Sequence, residues 1–358
     1  MQNWDAKLQN LLNSLKDHFE VHELALPESP VFIAVAIPKN ETVSGMRPRL
    51  PAGRGLSAAQ AMLSAAAEGL ELLASLAQGA KQLRVGLRIK NGLSEILAQN
   101  LNGGPPAYFS AQRIYLDWAA VCGEPLTFDA DSNGTACGST WQDAVSRALL
   151  ECVERDAMAI WWYGRQQRQH LPASCLDRLA PRLAWWLGKR QKHFQLIDIT
   201  SENGVPVIVA VSYDDKGRHV AIGSAAAVDH EHAAISAVTE MVQMEVSMLM
   251  QHPDRELENW FAKASVFEMP QFQPVSIAAR PALAISSPQQ QLMDAGHNIF
   301  AVDLTRSGDL LFTARVIVPT LSSLHRAPDL ARIVSQSALQ PQFNGIKSAA
   351  EIETLCPY

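Results

Sequence analysis

The stretch SNGTACGSTWQDAVSRALLECVERDA, Ser132 to Ala157, decides how this chain is read. It predicts a turn followed by a long helix. Thr140 is the N-cap candidate, with Asp143 three residues later. Near the far end of that helix stand Glu151 and Glu154, three apart and interleaved with Leu149, Leu150 and Val153. A carboxylate on or beside an apolar face is costly unless something pairs with it. Two of them one turn apart call for a partner.

Two other helical stretches carry the same arrangement. AMLSAAAEGLE runs from Ala61 to Glu71, AVSRALLECVE from Ala144 to Glu154, and AAISAVTEMVQ from Ala233 to Gln243. The shared template is alanine, alanine four residues on, glutamate three after that, and Glu or Gln three later. Its glutamates Glu68, Glu151 and Glu240 are 83 and 89 residues apart, a weak internal repeat one sheet-plus-helix unit long. At ~100° per residue the four template positions fall within ~120° of one helix face. The alanines permit close approach by another helix or a ligand. Side by side, the three helices would bring together Glu68, Glu71, Glu151, Glu154, Glu240 and Gln243. Such a cluster repels itself without cations, and hard divalent ions such as Mg²⁺ take oxygen ligands and bridge carboxylates to phosphates.

The rest of the composition narrows the class. The chain has 358 residues, 47% hydrophobic and 18% charged, as in globular proteins of one large or two ordinary domains. A net charge of −6 argues against a general nucleic-acid binder. No apolar run reaches the roughly 18–20 residues of a membrane helix, and no signal peptide opens the chain. Five scattered cysteines without CxxC spacing indicate neither a zinc site nor a disulfide framework, so a cytoplasmic protein with reduced thiols is expected.

Along the chain, residues 3–20 predict an amphipathic helix with Leu8, Leu11, Leu12, Leu15 and Phe19 on one face. Strands are expected at 31–37 and 84–89, with a loop at 103–109. A long alanine-rich helix starts near Ser57, where Ser57 and Gln60 form a capping-box pattern. Residues 206–214 and 219–228 predict a hairpin around DDKGR, followed by a helix after Asp229. IFAVDLT and LFTARVIVP predict a further strand pair. The expected domains are a helical extension, 1–30, and one catalytic domain, 31–358.

With these residues in place, the chain resembles the YcaO family. SNGTACGSTWQDAVSRALLECVERDAMAIWW is similar to that family's signature. GRGLSAAQAMLSAAAEGLE resembles its first nucleotide-binding segment, AIGSAAAVDHEHAAISAVTEMVQ its third, and VDLTRSGDLLFTARVIVPTL its C-terminal strand pair. The resemblance covers roughly residues 30–325. It implies an α/β, YcaO-type fold: mixed or antiparallel sheets packed with helices, and three related strand-helix units around a nucleotide site. It also implies ATP and Mg²⁺ as cofactors. Mg²⁺ would be held by Glu68, Glu71, Glu151 and Glu154. ATP would be contacted by Arg54, Ser64, Ser139, Asp143, Arg155, Glu240, Gln243 and Arg315. The sequence departs from the family at Leu72 and Ser236, where arginine is usual, and at Arg54, where the family has lysine. Arg147, Arg155, Arg306 or Arg315 could compensate. The ending EIETLCPY lacks a Pro-x-Pro-x-Pro tail.

The activity so implied is ATP-dependent phosphorylation of a peptide backbone amide, leading to azoline rings at Cys, Ser or Thr of a ribosomally made peptide. Two alternatives stand beside it. One is sulfide attack giving a thioamide with a TfuA-type partner; the other is a non-catalytic YcaO scaffold. The implied partners are a precursor peptide, a separate leader-binding protein (E1-like/ThiF-like, or TfuA), a second copy of the chain, and a flavin dehydrogenase in the same complex. No nucleic acid or membrane partner is expected. His230 and His232 read as surface residues. Trp161, Trp162, Trp185 and Trp186 read as core or subunit-interface packing, and Cys137 and Cys152 as small apolar residues.

Overall fold

The computed structural model describes residues 2–39, 50–78, 86–250, 260, 263–275, 286–324, 328–339 and 345. The Cys356-Pro357-Tyr358 ending and the first two residues of the 84–89 strand lie outside them. Helices and strands follow in the order α1 Gln2–Leu15, β1 Phe19–Leu24, β2 Phe32–Pro38, β3 Ala52–Gly55, α2 Ala58–Ser75, β4 Leu87–Lys90, β5 Leu93–Asn100, β6 Ala107–Ser110, α3 Ala111–Ile114, α4 Trp118–Cys122, β7 Thr135–Gly138 and α5 Trp141–Tyr163. The order continues with β8 Gln169–Leu171, α6 Pro181–Lys189, β9 His193–Asp198, β10 Val207–Tyr213, β11 Ala221–Ala226, α7 His230–Met250, α8 Pro288–Asp294, β12 Phe300–Asp303, β13 Phe312–Ile317 and α9 Leu330–Leu339. The strands form sheets ordered β1-β2-β3, β11-β10-β9-β8 and β4-β5-β12-β13-β7, with β6 paired to β5. Every pairing between these strands is antiparallel.

Contacts divide the chain into two compact units. The first holds residues 1–27, 32–152 and 292–320; the second holds 28–31, 153–291 and 321–358. Helix α5 contributes its first half to one and its second half to the other.

In the first unit, α2 forms because alanine, leucine and glutamate carry high helix propensity. Its start is capped as expected, with one shift. The Ser57 hydroxyl accepts the Gln60 N–H at 3.3 Å, while the Gln60 side chain accepts the N–H of Leu56 rather than of Ser57, at 3.0 Å. The expected helix over 3–20 ends at Leu15. Phe19–Leu24 instead alternates as a strand, pairing Phe19 with Pro38 and Leu24 with Ile33 of β2. Phe19 still reaches the apolar cluster of Leu11, Leu15, Ala66, Leu70 and Leu73, but from a sheet. Its position satisfied helical periodicity only because the cluster collects apolar groups from both elements. The expected loop at 103–109 ends at Pro106. Neither Pro105 nor Pro106 can donate to a ladder, and β6 begins directly after them, pairing Ala107 with Ala98.

In the second unit, β10 (VIVAVSY) is buried along nearly its whole length. Such a run of β-branched residues suits a strand inside a sheet. It pairs with β11 from Val207–Ala226 to Ser212–Ala221, the hairpin expected around DDKGR. Trp161 and Trp162 are buried and pack edge-on with Phe272; Trp162 also meets Trp260. Trp185 differs, being 67% exposed on α6. Arg332 of α9 makes a two-pronged ion pair with the fully buried Asp156 of α5, at 2.6 and 2.7 Å.

Candidate functional site

The three template helices each follow a short strand: β3 before α2, β7 before α5, β11 before α7. One glycine in each strand sets how closely helix and strand approach. A Cβ at Gly53 would lie 2.1 Å from the Ala65 nitrogen, at Gly138 2.2 Å from the Ala144 nitrogen, and at Gly223 2.2 Å from the Met241 nitrogen. The alanines of the template therefore face a strand glycine of their own repeat.

Backbone N–H groups in or just before these strands lie within reach of the helix carboxylates. Glu68 accepts the N–H of Ala52 at 3.1 Å, Glu151 that of Gly134 at 3.1 Å, and Glu240 that of Ser224 at 3.0 Å. In sequence these partners lie 16, 17 and 16 residues upstream. Glu68 and Glu240 thus clasp their own strands, and Glu151 clasps the turn that leads into β7. The second glutamate of a pair reaches the strand of the next repeat: Glu71 accepts the N–H of Cys137 in β7, and Glu154 accepts the hydroxyl of Ser224 in β11 at 2.6 Å. Every one of these bonds lies within a single unit.

The first unit carries Glu68, Glu71 and Glu151. Burial raises the Glu71 carboxyl well above its usual range; the Cys137 N–H opposes this, and the charges of Glu68 and Glu151 raise it further. Arg147 is the counter-charge that acts on it, and weakly; its side chain is exposed and pairs with Asp143 at 2.9 Å. In the second unit, Glu154 is paired to Arg155 at 3.3 Å, with both side chains largely buried. Gln243 is half-buried, one turn beyond Glu240.

The remaining expected contacts fall as follows. Arg54 is half-exposed on β3 between Gly53 and Gly55, and Ser64 lies one turn before Glu68. Ser139 is exposed, and its N–H and hydroxyl donate to Asp143 at 3.0 and 3.4 Å. Burial raises the Asp143 carboxyl, but Ser139 and Arg147 outweigh it and hold it low. Arg315 is buried on β13 and donates to the carbonyls of Asp131 and Arg113 and to the Thr135 hydroxyl, at 2.8 to 3.0 Å. His230 and His232 are exposed, as expected. Cys137 and Cys152 are buried; burial, then Glu71, pushes the Cys137 thiol far up, so it is a protonated packing group. A cavity of about 590 Å³ in the first unit, lined by Leu97, Gln99, Asn100, Trp141, Ala301 and Asp303 among others, shares no residue with the glutamate clasps.

Sequence reasoning missed Ser224 and the strand N–H groups. The glycines in GRG, CGS and IGS were their signal, since each marks a strand that must touch a helix.

Residues 87–322, about two thirds of the chain, match the family described as YcaO cyclodehydratase, ATP- and Mg²⁺-binding. The chain belongs to the YcaO family. Its cofactors are ATP and Mg²⁺. A protein of Methanothermobacter thermautotrophicus with no assigned function is 26% identical to this YcaO chain over 267 residues, 67% of this chain and 68% of that protein. A Rhizobium leguminosarum bv. trifolii protein, known as one in the tfuA 3′ region, is 29% identical over 157 residues, 39% of this chain and 37% of that protein. Among solved structures, a heterocyclase in complex with substrate and cofactor superimposes with a TM-score of 0.79 at 17% identity. It covers 98% of the chain, which spans 57% of that heterocyclase. A YcaO protein from Methanopyrus kandleri bound with AMPPCP and Mg²⁺ gives 0.69 at 20% identity, covering 92% of this chain and 93% of that one. The E. coli microcin synthetase McbBCD complex gives 0.68 at 12%, covering 95% and 96%. At these identities the likeness is one of fold.

The residues present fit the cofactors. Glu68, Glu71, Glu151 and Glu154 offer oxygen ligands, which Mg²⁺ prefers. Around Glu71 three carboxylates stand with too little positive charge, a deficit that a divalent cation removes. Among the described residues no three His, Cys, Asp or Glu side chains form a ready-made metal cage. No helix among them is long and apolar enough to cross a membrane.

Proposed function

We propose that this YcaO chain activates a peptide backbone amide at the expense of ATP, and that its first product class is the azoline ring. The observation that carries the reading is the set of clasps, one on each of the three repeats and a second on two of them, together with the charge deficit around Glu71. Glu68, Glu71, Glu151 and Glu154 would hold Mg²⁺, which when bound neutralises phosphate charge. Arg54, Ser64, Ser139, Asp143, Arg155, Glu240 and Gln243 would contact the nucleotide, while Arg315 braces the strand that carries part of the site.

In the proposed reaction the thiol or hydroxyl of a peptide Cys, Ser or Thr attacks the preceding amide carbon, giving up its proton to solvent and closing the five-membered ring. The carbonyl oxygen takes the γ-phosphoryl group, leaving ADP. The amide nitrogen then loses its proton as the carbon–oxygen bond to phosphate breaks, and the carbon–nitrogen double bond forms within the ring. The protein need only position these groups and balance their charge, as phosphoryl transfer requires. A protein nucleophile is unnecessary, which agrees with the protonated, buried state of Cys137.

A second reading replaces the peptide nucleophile with external sulfide and gives a thioamide. The relative from the tfuA 3′ region favours it, since it suggests a TfuA-type partner. In either reading a separate partner delivers the precursor peptide, and the chain acts as a homodimer.

The test is calorimetric titration of a nonhydrolysable ATP analogue with and without Mg²⁺, on the natural protein and on Glu151→Gln/Glu154→Gln. Binding that needs Mg²⁺ and disappears in the double variant is expected. A folded natural protein that binds no nucleotide, alone or with its partner, overturns the reading and leaves the non-catalytic scaffold.

A further inference from the structure

Ser224 touches two members of the proposed set from different repeats. It lies on β11 and is fully buried. Its hydroxyl donates to Glu154 Oε1 at 2.6 Å, and its N–H donates to Glu240 Oε2 at 3.0 Å. Glu154 belongs to α5 and Glu240 to α7. Both partners, with Arg155, lie in the second unit. We infer that Ser224 is a positioning residue for the nucleotide site, fixing the rotamers of Glu154 and Glu240 at once. The inference rests on the function proposed above and extends it to a residue that contributes no ligand atom of its own.

The chemistry supports a positioning role over a binding one. A hydroxyl has one proton to give, and here it is spent on the carboxylate of Glu154. A bond to a carboxylate is short and strong compared with a neutral one. Glu154 also has Arg155 at 3.3 Å on the same oxygen. Fixing Oε1 between the Ser224 hydroxyl and the Arg155 guanidinium defines where Oε2 points. The N–H does the same for Glu240 by holding Oε2. A long flexible side chain would otherwise spread over several rotamers, and a metal or phosphate would have to select one. Gly223 explains why the arrangement needs this strand. With no Cβ there, β11 approaches α7 closely enough for the next residue's N–H to reach the carboxylate one turn along.

The test compares Ser224→Ala and Ser224→Thr with the natural protein. Alanine removes the hydroxyl and keeps the N–H; threonine keeps both. The readouts are the Mg²⁺ dependence of nucleotide-analogue binding by calorimetry and the thermal midpoint without ligand. Removing an outer partner of a metal-binding carboxylate weakens metal affinity roughly 10- to 100-fold. Ser224→Ala is therefore expected to need that much more Mg²⁺ for the same binding, and threonine to restore it. In a Glu154→Ala background the alanine substitution is expected to have little further effect, because the two act through one contact. Unchanged Mg²⁺ dependence in a folded Ser224→Ala protein overturns the inference, whatever the thermal midpoint does. If the alanine variant does not fold, Ser224→Cys replaces it, keeping the side-chain size with a poor donor; Mg²⁺ dependence equal to the natural protein then overturns the inference. A natural protein that binds no nucleotide removes the proposed function, and this inference with it. Normal binding with no difference among the variants removes the inference alone.

Discussion

Glu71 carries the sharpest prediction at the scale of single residues. Its carboxyl is raised by burial and by Glu68 and Glu151, so the folded protein holds this proton to higher pH than the unfolded chain does. Between the unfolded value near 4.5 and the raised folded value, the folded state binds more protons. Stability must then fall as pH rises through that window. Above it the ionised Glu71 is a standing cost that a bound cation relieves. Thermal unfolding from about pH 5 to about pH 8 should show Mg²⁺ stabilising the protein more at the alkaline end. Glu71→Gln should flatten the dependence. Equal stabilisation at both ends, or no change in the variant, removes Glu71 from the cation site. The carboxylates themselves were legible in sequence, because an E-x-x-[E/Q] spacing recurs three times, each on one helix face. Ser224 was not. A buried serine in a small-residue strand carries no periodicity, and its importance arises only where two helices meet the same strand residue.

At the scale of elements, the strand glycines hold the repeat together. A Cβ at Gly223 would stand 2.2 Å from the Met241 nitrogen and 2.3 Å from the Ala237 carbonyl oxygen. Backbone atoms cannot swing aside as a side chain can, so β11 and α7 would have to part. Gly223→Ala should cost about 3 kcal/mol, the upper range for overpacking, read from urea unfolding. It should also weaken nucleotide binding, because the Glu240–Ser224 bond spans the same gap. The Arg332–Asp156 pair ties α9 to α5 and is almost wholly buried. Arg332→Leu leaves Asp156 charged with no cation beside it and should cost about 3–5 kcal/mol. Adding Asp156→Asn should recover part of that loss; no recovery means that the pair is not what joins the two helices. The long helices α2, α5 and α7 were legible from alanine spacing and caps. Strands β3 and β7 were not, since four residues are too few to display alternation. The first helix was overextended because Phe19 continues its apolar face by chance of position while belonging to a strand.

For the whole molecule, the sequence pattern and the three-dimensional repeat agree on one point that neither Leu72 nor Ser236 disturbs. All three strand-helix units retain their first glutamate, and all three of those glutamates accept a backbone N–H from their own repeat, two from the strand and one from the turn before it. These bonds also hold helix to backbone within each repeat, so nucleotide binding is what separates the enzymatic readings from the scaffold. What the clasps leave open is the nucleophile, because the role proposed for them is toward the nucleotide and not the attacking atom. The two enzymatic readings therefore share every residue prediction above and separate only in product. With precursor peptide, ATP, Mg²⁺ and a leader-binding partner, ring formation should remove one water per modified residue and require a Cys, Ser or Thr after the amide. With a TfuA-type partner and sulfide, thioamide formation should exchange oxygen for sulfur and tolerate any residue at that position. Mass spectrometry of the peptide distinguishes the two. Replacing the Cys, Ser and Thr residues of the peptide decides it independently: modification that survives their loss excludes the ring, and modification that stops without added sulfide excludes it as well.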